Sequence, residues 1–352
     1  MSSVILPHIQ SLKPYSPPLE GRNPHDNLLL DFNEKVDVLP QSIVDALHAY
    51  IDSGRLQTYP HYSNIVELLA DYVGVDKEQV LLTNGSDQGI ELVFRSCCEN
   101  GDEVIIPAPS FAMYTQCAKV QNLKIISPSY KFDTGFPLSE VLQSISEKTK
   151  LIVIANPNNP CGTMVSKADI LKIAQAAPHS AVLVDECYFE YSQVTVTNAC
   201  SSHPNLFVTR TFSKTWGMPS LRFGYLVSHA YNIRALSCVR GPYDINQLAV
   251  VAARAALSNR ADVDVYVREV MEISKPLVES FLQNKEICFW QSNANYLWVF
   301  FEDPEKVAME LGHRGILVRP KDDANGRTGL RITLGNARHT AQLLQALEEI
   351  LS

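Results

Sequence analysis

The chain has 352 residues, of which 46% are apolar and 19% charged, with 16 Gly, 20 Pro and 8 Cys. These proportions exclude disordered, collagenous and disulfide-scaffold classes, and the length implies two domains of unequal size. Thirty basic against 38 acidic residues leave a net charge of −8, which excludes a global attraction to nucleic acid or anionic membrane but not a local basic pocket.

The first fifteen residues lack a basic segment followed by a long apolar one, so secretion is not expected. No uncharged apolar run reaches the roughly 18 residues of a membrane helix. The cysteines are scattered and form no C-x-x-C pair, which fits reduced thiols in a cytoplasmic protein. Residues 1–40 are rich in Pro and polar residues and read as an arm laid over other structure.

From about residue 78 the pattern alternates. Strands are expected at Val80–Thr83, Glu103–Pro107, Lys124–Ser127, Leu151–Ala155, Ala181–Asp185, Leu206–Thr211 and Gly224–Val227. Helices lie between several of them. After Ser86, the residues Ile90, Val93, Phe94 and Cys97 fall on one helical face, with Gly101 as a stop, and another helix spans Lys167–Ala177. This alternation predicts an α/β layer fold around a mostly parallel sheet with helices on both faces. After about residue 245, helices are expected at Gln247–Leu257, Val263–Asn284, Glu305–Gly312 and Ala337–Leu351, and strands at Tyr296–Phe300 and Arg331–Leu334. These read as a smaller α+β domain. The expected division is 1–45 (arm and part of the small domain), 46–245 (large domain) and 246–352 (small domain).

No G-x-G-x-x-G, P-loop, H-E-x-x-H or G-x-S-x-G occurs, and the nine histidines show no metal-ligand spacing. No metal is expected. Polar residues cluster instead at strand ends, where ligands bind in such sheets. Asn84-Gly85-Ser86-Asp87 opens a helix and suits a phosphate, or is an ordinary capped helix start. Asn156–Gly162 carries more Pro and Asn than a turn requires. Asp185 at the tip of an apolar strand would need a cationic partner. Lys214 is either a solvated surface cation or a desolvated nucleophilic amine.

One cofactor accounts for all four loops. Pyridoxal 5'-phosphate needs a lysine for its Schiff base, an acid for its ring nitrogen, and donors for its phenolate oxygen and phosphate. The phrases Asn156–Gly162 (NPNNPCG), Val184–Tyr188 (VDECY) and Ser213–Tyr225 (SKTWGMPSLRFGY) resemble the fold-type-I aminotransferases. Further phrases resemble the histidinol-phosphate aminotransferase branch of that family: LKPY at 12–15, LDFNE at 30–34, TYP at 58–60, NGSD at 84–87, NANY at 293–296, GILVRP at 315–320 and LRITLG at 330–335. The resemblance implies a mostly parallel seven-stranded sheet in a large domain, a small domain built from both termini, and a homodimer with its site at the boundary.

The resemblance also implies roles. Lys214 would anchor the cofactor and then carry protons. Asp185 would pair with the pyridinium N–H, and Tyr188 and Asn159 would donate to the ring oxygen. Phe111 would stack on the ring. Gly85, Ser86, Asp87, Ser213 and Arg222 would hold the phosphate, with Tyr59 joining from the partner chain. Arg331, Arg319 and Tyr15 would meet the substrate. Three departures stand out. Lys35-Val36-Asp37-Val38 replaces a Pro-rich stretch, Phe111 replaces a Tyr, and Cys161 replaces a Thr. The expected reaction exchanges an amino group between histidinol phosphate and 2-oxoglutarate, giving imidazole-acetol phosphate and glutamate, a step of histidine biosynthesis. The alternatives are an aminotransferase for aromatic or other amino acids and a decarboxylase of amino-acid phosphates. A non-catalytic sensor fused to a DNA-binding module is disfavoured by the absence of a segment for one. Nucleic-acid and membrane partners are not expected.

Overall fold

Alternating apolar side chains build the centre of the molecule. In the computed structural model, which describes residues 4–14 and 16–352, the short strand β1 (Leu28–Leu29) is followed by the seven strands of the main sheet. These are β2 (Val80–Asn84), β3 (Glu103–Ile105), β4 (Lys124–Ile126), β5 (Thr149–Ala155), β6 (Ala181–Asp185), β7 (Leu206–Thr211) and β8 (Phe223–Ser228). Their order across the sheet is β2-β8-β7-β6-β5-β3-β4, and only β8 runs antiparallel to its neighbours. All seven expected strands are present, with ends shifted by two residues at most.

The period of two along each strand divides the core. Ile152, Ile154, Val182, Val184 and Val208 face one helical layer, while Leu151, Val153, Leu183 and Phe207 face the other. Both faces are covered, which is why these strands read as apolar throughout. The helix Gln247–Ser258, expected to open the C-terminal domain, packs on the helices Gln41–Asp52 and Ile65–Val73. Its alanine-rich face belongs to the core beside the main sheet.

A second sheet is antiparallel, with order β12-β13-β10-β9. Its strands are β9 (Cys288–Trp290), β10 (Tyr296–Phe300), β12 (Arg319–Asp322) and β13 (Thr328–Thr333). Strand β11 (Ile316–Leu317) pairs in parallel with β1, so the N-terminal segment docks onto the C-terminal unit. Leu28 and Leu30 join the apolar cluster of this unit. The expected helix Val263–Asn284 is present, but its middle turn, Glu269–Ser274, widens to a π-helix. Pro276 follows directly. Its ring would collide with the carbonyl four residues earlier in a regular helix, and the wider turn relieves that contact.

Beneath the main sheet's carboxyl edge lies a buried ion pair. Arg210 Nε and Nη2 donate to Glu186 Oε2 at 3.0 and 2.8 Å. The Val196 N–H donates to Glu186 Oε1 at 2.9 Å, and the guanidinium lies over the Phe189 ring. Removing one partner strands the other charge away from water. Arg210→Met is therefore expected to lower unfolding free energy by about 3 kcal/mol, as read from urea denaturation, whereas Arg210→Lys should lose less.

Candidate active site

Three strand ends and one helix start converge on a single cleft. It is lined by Ser86, Asp87, Phe111, Tyr114, Asn159, Asp185, Cys187, Tyr188, Ser213, Lys214 and Arg222, among others. Every expected cofactor contact except Tyr59 therefore lies in or beside it.

At one end is an anion cradle. The helix Gly85–Cys97 points its N-terminus there, and Asn84, at its N-cap, makes no side-chain capping bond. The first-turn N–H groups thus keep donor capacity that an anion can use. Gly85 has φ +70°, and a Cβ there would stand 2.5 Å from Arg222 Nη2. The left-handed backbone favours glycine, and a larger residue would displace the Arg222 guanidinium from the cradle. Arg222 donates to Asp87 Oδ2 at 2.8 Å. Gly224 closes the cradle from below, since a Cβ on it would reach Ser86 N at 2.7 Å.

At the other end sits Asp185, which is 5% exposed. Tyr114 Oη donates to its Oδ2 at 2.5 Å, and Thr209 Oγ1 and Cys187 Sγ donate to its Oδ1 at 3.0 and 2.8 Å. Among the described residues it has no ion pair. Burial pushes its pKa up, against the pull of the three donors. A carboxylate so placed is stabilised by a cationic ligand.

Between the two ends lies Lys214. Its Nζ donates to the Phe32 carbonyl at 2.8 Å. Burial, and then the nearby Arg331 cation, lower its pKa to about 8. It is a desolvated amine, not a surface cation. Asn159, which lines the cleft, accepts through Oδ1 from Arg331 Nη1 at 2.7 Å, and its amide N–H₂ is not used in that bond. Tyr188 Oη accepts from Asn33 Nδ2 at 2.8 Å, so its own proton remains for a ligand. Phe111 forms a wall and meets Tyr114 edge to face.

Arg319 and Arg331 line a side chamber that opens onto Lys214 and Asn159. Arg331 is anchored by a 2.5 Å bond from Nη2 to the Asp31 carbonyl. Tyr59 does not line the cleft of its own chain. It is 76% exposed and stacks on Tyr243. Tyr15 lies outside the described residues.

Sequence reasoning missed Tyr114, Thr209, Asn33 and Phe32. Tyr114 follows the Phe111 position by three residues on a helix, so its helical spacing was a usable signal. Phe32 acts through its backbone carbonyl, which no side-chain pattern announces.

Residues 26–350 match the family model "Aminotransferase class I and II". A histidinol-phosphate aminotransferase of Thermoanaerobacter sp. (strain X514) is 33% identical over 327 residues, covering 92% of each chain. One from Methanocaldococcus jannaschii is 30% identical and spans 98% of this chain and 96% of the relative. The fold is shared with the crystal structure of histidinol-phosphate aminotransferase from Sinorhizobium meliloti in complex with pyridoxal-5'-phosphate. That match has a TM-score of 0.89 at 21% identity and covers 100% of this chain and 98% of the other.

The depressed Lys214 predicts a pH response in protein stripped of bound ligands. Its amine is protonated below about pH 8 and neutral above. Labelling by an amine-selective reagent, followed on the Lys214 peptide by mass spectrometry, should inflect at about pH 8. Arg331→Gln removes a cation that opposes protonation, so the inflection should move to higher pH. The chain belongs to the aminotransferase class I and II family, in its histidinol-phosphate aminotransferase branch.

Proposed function

We propose that the chain is a pyridoxal-phosphate-dependent aminotransferase that exchanges an amino group between histidinol phosphate and 2-oxoglutarate. The observation that carries this reading is a buried carboxylate without a counter-ion, Asp185, facing the same cleft as a desolvated amine, Lys214.

The residues fit the cofactor. The uncapped helix start, the Gly85 gap, Ser213 and Arg222 suit its phosphate. Asp185 suits a protonated ring nitrogen, and Tyr188 and Asn159 suit the ring oxygen. Phe111 offers a flat apolar face. When bound, pyridoxal phosphate supplies an electron-accepting ring that stabilises negative charge at a substrate carbon.

The chain's own residues do the rest. Lys214 Nζ, poised near neutrality, takes the proton from the donor Cα and returns one in the reverse half of the cycle. Asp185 would hold positive charge on the ring nitrogen through a charge-assisted hydrogen bond. Arg331 and Arg319 orient the substrate anion, because guanidinium groups accept phosphate and carboxylate alike. Histidinol phosphate offers a phosphate and glutamate a carboxylate, so one arginine pair serves both donors.

Tyr59 supports a homodimer. It is exposed, lies outside its own cleft, and carries a hydroxyl suited to a phosphate across a two-fold interface. All eight cysteines are unpaired, which favours a reducing, cytoplasmic setting. No helix among the described residues is long and apolar enough to cross a membrane.

Purified holoenzyme mixed separately with L-histidinol phosphate, L-glutamate and L-phenylalanine should lose its lysine-bound absorbance rapidly with the first two. Reaction with phenylalanine alone would reassign the substrate. Lys214→Ala should cost about 10⁴-fold or more in turnover while leaving the circular dichroism spectrum intact. Chains carrying Tyr59→Phe, mixed with chains carrying Lys214→Ala, should form hybrid dimers in which one site regains native cofactor affinity. If Tyr59 acted within its own chain, no such site would form.

A further inference from the structure

The substrate chamber is more cationic than two arginines make it. Strand β12 has alternating burial, with Arg319 and Lys321 turned inward and Pro320 and Asp322 outward. Arg319 stands directly opposite Arg331 in the antiparallel pair β12–β13, and Lys321 stands opposite Gly329. All three cations therefore share one face. Gly329 presents no side chain to Lys321, and it has no room for one, since a Cβ there would lie 2.7 Å from Trp298 Nε1.

Arg319, Lys321 and Arg331 line the same chamber with Lys214, and no carboxylate lines it. Among the described residues the Lys321 side chain has no ion pair or hydrogen bond, and the Arg319 side chain has only the Phe32 ring, 5.4 Å away. Burial, and then repulsion by Arg331 and Arg319, oppose the charge on Lys321, whose pKa falls to about 8. Arg319 and Lys321 face a chamber that no carboxylate lines, and an anion of more than one charge stabilises such a cluster.

We propose that Lys321 is a specificity residue, the third cation of a subsite that selects substrates bearing a doubly charged group over singly charged ones. The proposal rests on the aminotransferase reading only for the identity of the amino donor. Phosphate monoesters carry two charges near neutral pH, whereas the distal carboxylate of a dicarboxylic acid carries one. Lys321 thus favours the phosphorylated partner beyond what the arginine pair provides, and the pair alone suffices for the carboxylate.

The test is calorimetry on holoenzyme, in which the cofactor fills the other anion cradle, with inorganic phosphate and acetate as probes. Lys321→Met should weaken phosphate binding about tenfold and change acetate binding by about threefold or less. The same variant should raise KM for histidinol phosphate about tenfold with little change in kcat, and spare KM for 2-oxoglutarate. Lys321→Arg should restore phosphate binding.

The pH profile separates charge from shape. In the unaltered protein, phosphate affinity should fall above about pH 8 as Lys321 loses its proton. In Lys321→Arg it should persist. Arg319, Arg331 and Asp322 are the charged groups that act on Lys321, and they, like Lys214, are common to both proteins. Equal phosphate affinity in the unaltered protein and Lys321→Met would overturn the proposal, as would absent saturable phosphate binding or parallel pH profiles. If the unaltered enzyme failed to react with histidinol phosphate, the donor assignment would fall, while phosphate binding would still decide the role of Lys321.

Discussion

The site is organised by the cost of burying one carboxylate. Asp185 ends β6 between Ala155 on β5 and Thr209 on β7, deep at the carboxyl edge of the main sheet. Three donors offset part of its desolvation, but none brings a positive charge. Hydrogen bonding to neutral groups leaves such a carboxylate with a raised proton affinity. A cationic ring N–H, as the proposed cofactor would supply, would resolve that conflict directly. Once it is bound there, the spacing to the Gly85–Asp87 cradle and to Lys214 decides which ring fits. The surrounding loops are therefore placed relative to Asp185, and the apolar strand behind it is the rigid mount.

A second constraint couples substrate to proton transfer. Arg331 bonds Asn159 with one nitrogen and the Asp31 carbonyl with another, and its field lowers both Lys214 and Lys321. An anion bound at Arg331 cancels part of that field. The proton affinity of Lys214 then rises, so the amine becomes a stronger base when substrate is present. In the proposed reaction the same guanidinium would bind, orient and tune, because it reaches from the small sheet across to the loop that follows β5.

The main sheet was legible because its strands alternate apolar residues on two buried faces and end in polar loops. Asp185, Lys214 and the Gly85 turn stood out for the same reason: each is a polar or flexible residue where the pattern calls for apolar continuity. The second sheet was less legible. Strand β12 carries Arg319-Pro320-Lys321-Asp322, which no β-propensity rule selects, and it forms because β13 offers a pairing edge. Strand β1 is two residues long and exists only through contact with β11. The residues that polarise the site escaped for a related reason. Asn33 lies about 150 positions from Tyr188, and Thr209 reaches Asp185 only through the register of β6 with β7. Spacing along a chain does not encode such neighbours.

Division of labour between the two sheets follows from these placements. The main sheet is mostly parallel, buried on both faces and closely packed, so it holds the groups that need fixed geometry. The small sheet presents one face to the chamber, and its outer strand can change inward residues without disturbing a core. Arg319 and Lys321 sit on that strand, at alternate positions beside an anchored Arg331. Substrate charge is therefore read by the outer strand of the small sheet, and the chemistry is held by buried strands of the main sheet. A change at position 321 redirects charge preference while Asp185 and Lys214 keep their hydrogen bonds, none of which goes to β12.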